Sequence, residues 1–262
     1  MLIDPGARVA PTARVHPEAR IAAGCVIGEY CIIEQDVILG ANCILEPYVY
    51  IKRWTSLGEG NEISASTVLG TDPLDKNFHG ERSFLKIGSF NKIREHFTIS
   101  RATVPEASTV IGNHNFIMTS GHIAHDCILG NHIVVASCAL LAGYVEVEDQ
   151  AFISGGVVVH QHSKIGRLAM VGGNTRVNSD LPPFFLYSEF NVAAKGVNLV
   201  GLRRAGFSAQ EIDIVKSCYC VLYRSGLKKL DACLQLDSMN HPIAEHVAKF
   251  VRASRRGIAR ES

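Results

Sequence analysis

The stretch "VIGEYCIIEQDVILGANCIL", residues 26–45, decides the fold, because every sixth residue in it is aliphatic. The same register runs over residues 3–177. Of the 30 positions in that phase, only Asp75, Glu81 and Pro105 are not aliphatic. A helix would repeat at 3.6 residues and a strand at 2, so a period of six over this length predicts a solenoid.

Each six-residue unit is long enough for a short strand and a turn, so three units should close one triangular coil. A coil cannot bury its apolar face alone and needs the next coil stacked on it. Stacked coils pair as parallel strands about 4.8 Å apart, so residues i, i+18 and i+36 should form vertical ladders. Small residues that follow the periodic ones by four, including Cys25, Cys31, Cys43 and Cys127, should also point inward.

Two segments interrupt the repeat, "TDPLDKNFHGERSF" at about 71–84 and "RATVPEAS" at about 101–108. Each replaces a whole number of six-residue units, since the register returns unchanged. We therefore expect loops that project from a rigid prism. Long loops of this kind usually carry function, although a tolerated insertion is the alternative.

The repeat ends after "NSDLPPF", residues 178–184, where two prolines lack the N–H that a strand ladder needs. From about Val197 the periodicity becomes helical. "SAQE", residues 208–211, predicts a capping box for a helix that runs to Arg224, with Gly226 as its stop. Further helix starts are expected near two positions, Lys228 and Pro242. The predicted domains are a β-helix at 1–190 and a helical domain at 191–262.

Composition narrows the class of protein. No run of 18 apolar residues occurs, and the N-terminus lacks the basic start and apolar core of a signal peptide, so we expect a cytoplasmic protein. Eight cysteines then predict reduced thiols in preference to disulfides or a metal site. Residues 195–262 hold 12 Lys/Arg and 6 Asp/Glu, whereas residues 1–194 hold 14 and 19. The basic tail favours an acidic partner, with a solvated helical surface as the alternative.

The stretch "GHIAHDC", residues 121–127, is the best candidate for chemistry. A histidine beside a carboxylate, as in His125 and Asp126, can be held in one tautomer and act as a base. The 18-residue ladder puts Gly143 and Gln161 on the same vertical line as His125. A base next to a free backbone N–H is what acyl transfer needs, with coincidental packing on one wall as the alternative.

Six motifs stand out besides the N-terminal repeats: "GHIAHDC", "GGVVVHQ" (155–161), "MVGGN" (170–174), "DLPPF" (180–184), "GVNLVGLRRAGFS" (196–208) and the closing "RRG" (255–257). On these residues the whole chain resembles the bacterial UDP-N-acetylglucosamine O-acyltransferases, which start lipid A synthesis. The resemblance implies a left-handed parallel β-helix with a small C-terminal helical domain, and a homotrimer. It implies transfer of a fatty acyl group, expected to be 3-hydroxyacyl, from acyl carrier protein to the 3-position of UDP-N-acetylglucosamine, without cofactor or metal.

The same resemblance assigns roles to residues. His125 is the general base, Asp126 orients it, and Gly143 supplies the oxyanion N–H. A glycine at Gly173 leaves the groove for the acyl chain deep, with Met170 beside it. The implied contacts to the nucleotide sugar are Asp75, Lys76, His122, Tyr144, His160, Gln161, Asn198 and Arg204.

Several positions depart from the family pattern. Asn77 stands where the family has a lysine, so Lys76 could substitute only if the loop slips by one residue. Tyr144 replaces a usual histidine, and Val200 and Ala205 replace residues that are often polar or basic. "SEFNV", residues 188–192, replaces the usual "QGNHA". These changes leave the base in place and put the acceptor in question.

Other functions are therefore kept open. The first alternative is an acyltransferase of the same fold that acts on a 3-amino sugar nucleotide or uses acetyl-CoA. A zinc carbonic anhydrase on the same prism would need three converging histidines. A non-catalytic scaffold or ice-binding solenoid would show a flat repetitive face without a histidine cluster. Thioester turnover and metal content would distinguish these classes.

Overall fold

The computed structural model describes residues 2–261 and forms a three-sided prism of short strands. The strands alternate with tight turns once every six residues. In chain order the first half contains β1 (Arg8–Val9), β2 (Arg14–Val15), β3 (Arg20–Ile21), β4 (Val26–Ile27), β5 (Ile32–Ile33), β6 (Ile38–Leu39), β7 (Ile44–Leu45), β8 (Tyr50–Ile51), β9 (Thr55–Leu57), β10 (Glu62–Ile63), β11 (Val68–Thr71), β12 (Phe84–Ile87), β13 (Lys92–Ile93) and β14 (Thr98–Ser100).

The second half of the prism continues in the same way. It contains β15 (Ser108–Ile111), β16 (Phe116–Ile117), β17 (His122–Ile123), β18 (Ile128–Leu129), β19 (Val134–Val135), β20 (Leu140–Leu141), β21 (Glu146–Val147), β22 (Phe152–Ile153), β23 (Val158–Val159), β24 (Lys164–Ile165), β25 (Met170–Val171) and β26 (Arg176–Val177). Three further strands extend one face, β27 (Phe185–Ser188), β28 (Ala193–Val197) and β29 (Arg260–Glu261).

Every third strand lies on the same face, so the prism has three parallel sheets. The first face runs β1-β4-β7-β10-β13-β16-β19-β22-β25 and continues into β27, β28 and β29. The second face holds β2, β5, β8, β11, β14, β17, β20, β23 and β26, and the third holds β3, β6, β9, β12, β15, β18, β21 and β24. The predicted solenoid with parallel pairing is therefore confirmed.

The strand register shows how the two loops fit. Residue i normally pairs with i+18, as Ile27 does with Leu45. Across the first loop Leu57 pairs with Ile87, a separation of 30, and across the second Ile87 pairs with Ile111, a separation of 24. The loops thus add 12 and 6 residues to their coils, whole numbers of repeat units as predicted.

The core is made of the periodic aliphatic side chains, which line the interior along the prism. From Ile21 onward those of the series are at most 4% exposed. The inward cysteines fill the small positions, and the Cys25, Cys31, Cys43 and Cys127 thiols each donate to a backbone carbonyl 3.1 Å away. All eight cysteines are free thiols, and only Cys138 and Cys220 are exposed.

The helical region begins at the position that the sequence predicted. Its helices are α1 (Leu199–Arg204), α2 (Ala209–Tyr223), α3 (Lys229–Ser238) and α4 (Pro242–Ala253). Ser208 and Glu211 form the predicted capping box, and Pro242 occupies the first turn of α4. In the part of the chain described, no helix is both long and apolar enough to cross a membrane. The domain boundary at residue 190 stays a prediction. The sheet of the first face continues past this residue through β28 and β29.

Candidate active site

Both loops project from one corner of the prism, the corner between the second and third faces. The first connects β11 to β12 and the second connects β14 to β15, and each pair joins those two faces. His125, Gly143 and Gln161 lie in successive turns of the same corner, which we call the loop corner. Backbone hydrogen bonds of 3.0 Å from Tyr144 to His125 and from His162 to Gly143 fix this stacking. The predicted ladder is confirmed.

The His125 ring lies directly over Gly143. A Cβ at residue 143 would come within 2.4 Å of Cε1 and 2.8 Å of Nε2 of that ring. The site therefore requires glycine for space, since any side chain would displace the imidazole. Within residues 2–261 the Gly143 N–H donates no hydrogen bond, so it is free to bind an oxygen.

Asp126 fixes the orientation of the imidazole. Its Oδ2 accepts from His125 Nδ1 at 2.8 Å, from the Thr103 N–H at 3.0 Å and from Thr103 Oγ1 at 2.7 Å. Burial disfavours the charge on Asp126, but the hydrogen bonds from His125 and Thr103 outweigh it and lower the pKa of this carboxyl. The ionised Asp126 can only accept, so Nδ1 carries the proton and Nε2 presents its lone pair.

A tyrosine completes this network. Thr103 Oγ1 gives its single proton to Asp126, so at 2.9 Å from Tyr144 it must accept the proton of the tyrosine hydroxyl. The Tyr144 ring also stacks on His162 at 4.6 Å and meets the edge of His125 at 5.4 Å. Tyr144 therefore acts on His125 both by packing and through Thr103.

His122 lies in β17 on the second face, three residues before His125. Its Nδ1 is 2.7 Å from Thr98 Oγ1, whereas its buried Nε2 has no partner among the described residues. Burial lowers the pKa of His122 below its ordinary value near 6.5. An unpaired buried nitrogen is costly, so Nε2 is suited to a polar group of a ligand.

The first loop is anchored by a buried cation. Arg101 is 1% exposed, and its guanidinium lies 4.8 Å from the Trp54 ring and 5.1 Å from the Phe78 ring. Its Nη2 approaches Asp72 at 2.8 Å. Phe78 and Asp72 belong to the loop, so Arg101 ties the loop to the prism.

The tip of the first loop turns on Asp75. Its Oδ1 accepts from the Asn77 N–H at 2.8 Å, and its carbonyl accepts from the Phe78 N–H at 3.1 Å. The Lys76 and Asn77 side chains are both exposed. Either could therefore reach a ligand at this corner.

Four of the predicted site residues do not reach the loop corner within one chain. Met170, Asn198 and Arg204 line a groove of about 720 Å³ that runs along the first face and its corner with the third. The Asn198 side chain caps α1 and also donates to the Leu168 carbonyl at 2.9 Å. Gly173 lies at the corner between the first and second faces, next to the Gly155 carbonyl.

The structure adds residues that the sequence argument left without a role. Thr103 lies in the second loop, which was predicted to be functional without naming a residue. Arg101 is the first residue of the same predicted loop, and it too was given no individual role. Arg256 belongs to the closing "RRG" motif, and its guanidinium contacts the Gln161 carbonyl.

Comparison with known proteins identifies the family. The family model described as Udp N-acetylglucosamine O-acyltransferase, Domain 2, matches residues 180–259. An acyl-[acyl-carrier-protein]–UDP-N-acetylglucosamine O-acyltransferase from Gloeothece citriformis is 42% identical over 207 residues, 79% of this chain and 75% of its own. One of that name from Verminephrobacter eiseniae is 43% identical over 213 residues, 79% and 81% of the two chains.

Solved structures agree. The UDP-N-acetylglucosamine acyltransferase of Francisella novicida has a TM-score of 0.88 at 33% identity, covering 99% of this chain and 94% of its own. That of Arabidopsis has a TM-score of 0.86 at 34% identity, covering 96% and 99%. The predicted fold class, a left-handed parallel β-helix followed by helices, is thereby confirmed.

The prism with its loop-bearing corner is that of a hexapeptide-repeat acyltransferase. Within that class, the chain belongs to the UDP-N-acetylglucosamine O-acyltransferase family.

Proposed function

We propose that this protein transfers a fatty acyl group, expected to be 3-hydroxyacyl, from acyl carrier protein to the 3-hydroxyl of UDP-N-acetylglucosamine. The relatives whose names state this activity support the donor and the acceptor. The observation that carries the chemistry is His125, held by Asp126 over Gly143 at the loop corner. A base and a free backbone N–H in contact fit acyl transfer better than the other classes considered.

In this mechanism Nε2 of His125 removes the proton of the sugar 3-hydroxyl as its oxygen attacks the thioester carbonyl. The negative charge that develops on the carbonyl oxygen is stabilised by the N–H of Gly143. The C–S bond then breaks, and the imidazolium returns its proton to the sulfur of the carrier thiol. Asp126 stabilises the imidazolium between these two steps. The products are an ester and a free thiol, and no cofactor or metal takes part.

The acceptor contacts follow the surface of the loop corner. The buried Nε2 of His122 has no partner among the described residues, and His160 and Gln161 lie one coil beyond Gly143. Asp75 and Lys76 would approach from the first loop. Tyr144 would approach from the turn of Gly143, which lies between the turns of His125 and Gln161. These assignments rest on the family resemblance and on the shared corner.

We propose a homotrimer with its sites between neighbouring prisms. Met170, Gly173, Asn198 and Arg204 are needed for the acyl chain and nucleotide in the family pattern, yet they lie on other corners than His125. A second copy whose groove faces the loop corner would supply them. Working sites would then exist only in the assembly.

The cellular setting follows from the chemistry of the chain. We place the enzyme in the cytoplasm, and its eight free thiols support a reducing compartment. The basic region at residues 195–262 supports docking of an acidic carrier protein.

Mass spectrometry of the product tests this function. The purified chain is given UDP-N-acetylglucosamine and a mixed pool of acyl carrier protein thioesters, with His125→Ala as the control. We expect an alkali-labile ester of the nucleotide sugar that is absent with the control. Product only from a 3-amino sugar nucleotide, as an alkali-stable amide, would favour that acceptor. Turnover of acetyl-CoA alone would favour the other alternative.

A further inference from the structure

The closing segment of the chain is fixed against the last coil of the prism. Asp180 is 1% exposed, and its Oδ2 accepts from Ser254 Oγ at 2.6 Å. The Asp180 backbone pairs with Gly257 and Ala259 through two hydrogen bonds of 2.9 Å. The backbone on either side of Arg256 is therefore held in place.

Arg256 uses that position to bridge two carbonyls. Its Nη1 donates to the Gln161 carbonyl at 3.2 Å, and its Nε and Nη2 both donate to the Asn178 carbonyl at 3.3 Å. Gln161 lies in a turn of the loop corner, whereas Asn178 directly follows β26. A planar fork of donors can bridge such carbonyls, which the single ammonium of a lysine cannot do in the same way. The neighbouring Arg255 makes no hydrogen bond or ion pair within residues 2–261.

The Gln161 carbonyl also sets the tautomer of a histidine. His160 Nδ1 lies 3.2 Å from this oxygen. A carbonyl can only accept, so Nδ1 carries the proton and Nε2 is left with its lone pair. Arg256 and His160 therefore share one acceptor, and the position of that acceptor orients the imidazole.

We propose that Arg256 is a positioning residue for the nucleotide-sugar edge of the site. It acts through the Gln161 carbonyl, keeping the turn in place and His160 in one tautomer with Nε2 toward the ligand. This inference rests on the proposed function, because that function assigns His160 and Gln161 to the nucleotide sugar. His125 is held separately by Asp126, so Arg256 should affect acceptor binding and leave the chemical step intact.

Steady-state kinetics with acyl carrier protein thioester and UDP-N-acetylglucosamine test the inference on the full chain. For Arg256→Met we expect KM for the nucleotide sugar to rise about threefold to tenfold, with kcat within about twofold of the wild type. Arg255→Met removes the same charge one residue away and should leave KM for the nucleotide sugar unchanged. Arg256→Lys keeps the charge without the bridge and should resemble Arg256→Met. A wild-type KM in Arg256→Lys would overturn the bridging role.

Nitrogen NMR of the histidine imidazoles provides a readout independent of turnover. The wild type should show His160, assigned with His160→Gln, protonated at Nδ1, and Arg256→Met and Arg256→Lys should shift it toward a tautomer mixture. Arg255→Met should leave the signal unchanged. An unchanged His160 tautomer in both Arg256 variants would refute the proposal even if KM rose. Absence of acyl transfer by the wild type would refute the proposed function instead, and the NMR result would still decide the contact.

Discussion

At the scale of single residues, the loop corner fixes the orientation of the His125 ring. His125 is 11% exposed in its side chain, Asp126 holds Nδ1, and Gly143 leaves the space for the ring. Each of the three contributes something that the others cannot replace. Removing the base should therefore differ in effect from removing the residue that orients it.

His125→Ala should lower kcat by roughly 10²–10⁴, because a positioned general base contributes about that much. Asp126→Asn should lose less, since Asp126 orients the imidazole without transferring the proton. Single-turnover kinetics on folded variants measure both. A His125→Ala variant that keeps a tenth of wild-type activity would remove His125 from the role of base.

Thr103→Val tests the support of Asp126. The lowered pKa of Asp126 means that its charge stabilises the fold above its ordinary pKa of 3.8, and that this is lost as pH falls through the lower folded value. Losing the Thr103 hydroxyl should reduce the free energy of unfolding by about 1.5–3 kcal/mol at pH 7. The difference should shrink once the pH falls below 3.8.

Urea unfolding at pH 7 and at a series of pH values that falls well below 3.8 measures this difference. Tyr144→Phe is the matched control, because it removes the tyrosine hydroxyl from Thr103 and leaves the donors to Asp126 in place. A Thr103→Val penalty that stays the same over the whole pH series would show that the hydroxyl does not act through the charge of Asp126.

At the scale of elements, two loops and one corner define the surfaces that meet the ligands. The first loop is packed by Phe78 on Arg101, and its tip presents Lys76 and Asn77 to solvent. A cation is missing at residue 77 relative to the family pattern. We therefore expect the loop to influence how strongly a nucleotide sugar binds.

Asn77→Lys should tighten the binding of UDP-N-acetylglucosamine if the loop keeps the family register. A charge-assisted contact contributes about 1.5–3 kcal/mol, so the dissociation constant should fall by about tenfold or more. Isothermal titration calorimetry measures it, with Lys76→Ala as the comparison. If Lys76→Ala abolishes binding and Asn77→Lys changes nothing, Lys76 is the contact and the loop has slipped by one residue.

The turn at Gly173 is expected to set the length of the acyl chain. A Cβ there would lie 3.4 Å from the Gly155 carbonyl and meet nothing closer, so a side chain can be built without displacing the fold. Gly173→Met should fill space in the acyl groove proposed between copies and shift preference to shorter acyl chains, with good turnover on them. A competition assay with thioesters of several lengths reports the profile, and an unchanged profile would place the length limit elsewhere.

At the scale of the whole molecule, the site residues divide between corners that do not meet in one chain. His125 lies at the loop corner, whereas Arg204 lines the groove on the first face. A shared site would require both from different copies. This division makes the assembly itself testable.

The His125→Ala and Arg204→Ala variants should each be inactive or weakened alone. Activity should return when the two chains are mixed, dissociated and reassembled. Random mixing gives an intact His125 opposite an intact Arg204 at about a quarter of the interfaces. Analytical ultracentrifugation should show a trimer. An active monomer, or mixed chains with no gain over either parent, would contradict sites between copies.

The amino-acid sequence alone determined the prism, its registers, the whole-unit length of both loops, both ends of α2 and the starts of α3 and α4. These features are periodic or local, so spacing and capping residues suffice to predict them. It also placed His125 over Gly143, because the ladder is a matter of counting. The contacts of Thr103 with Asp126 and of Arg256 with Gln161 were decided only by the tertiary structure. Loop and tail residues follow no repeat, and their positions depend on packing against coils that are distant in the chain.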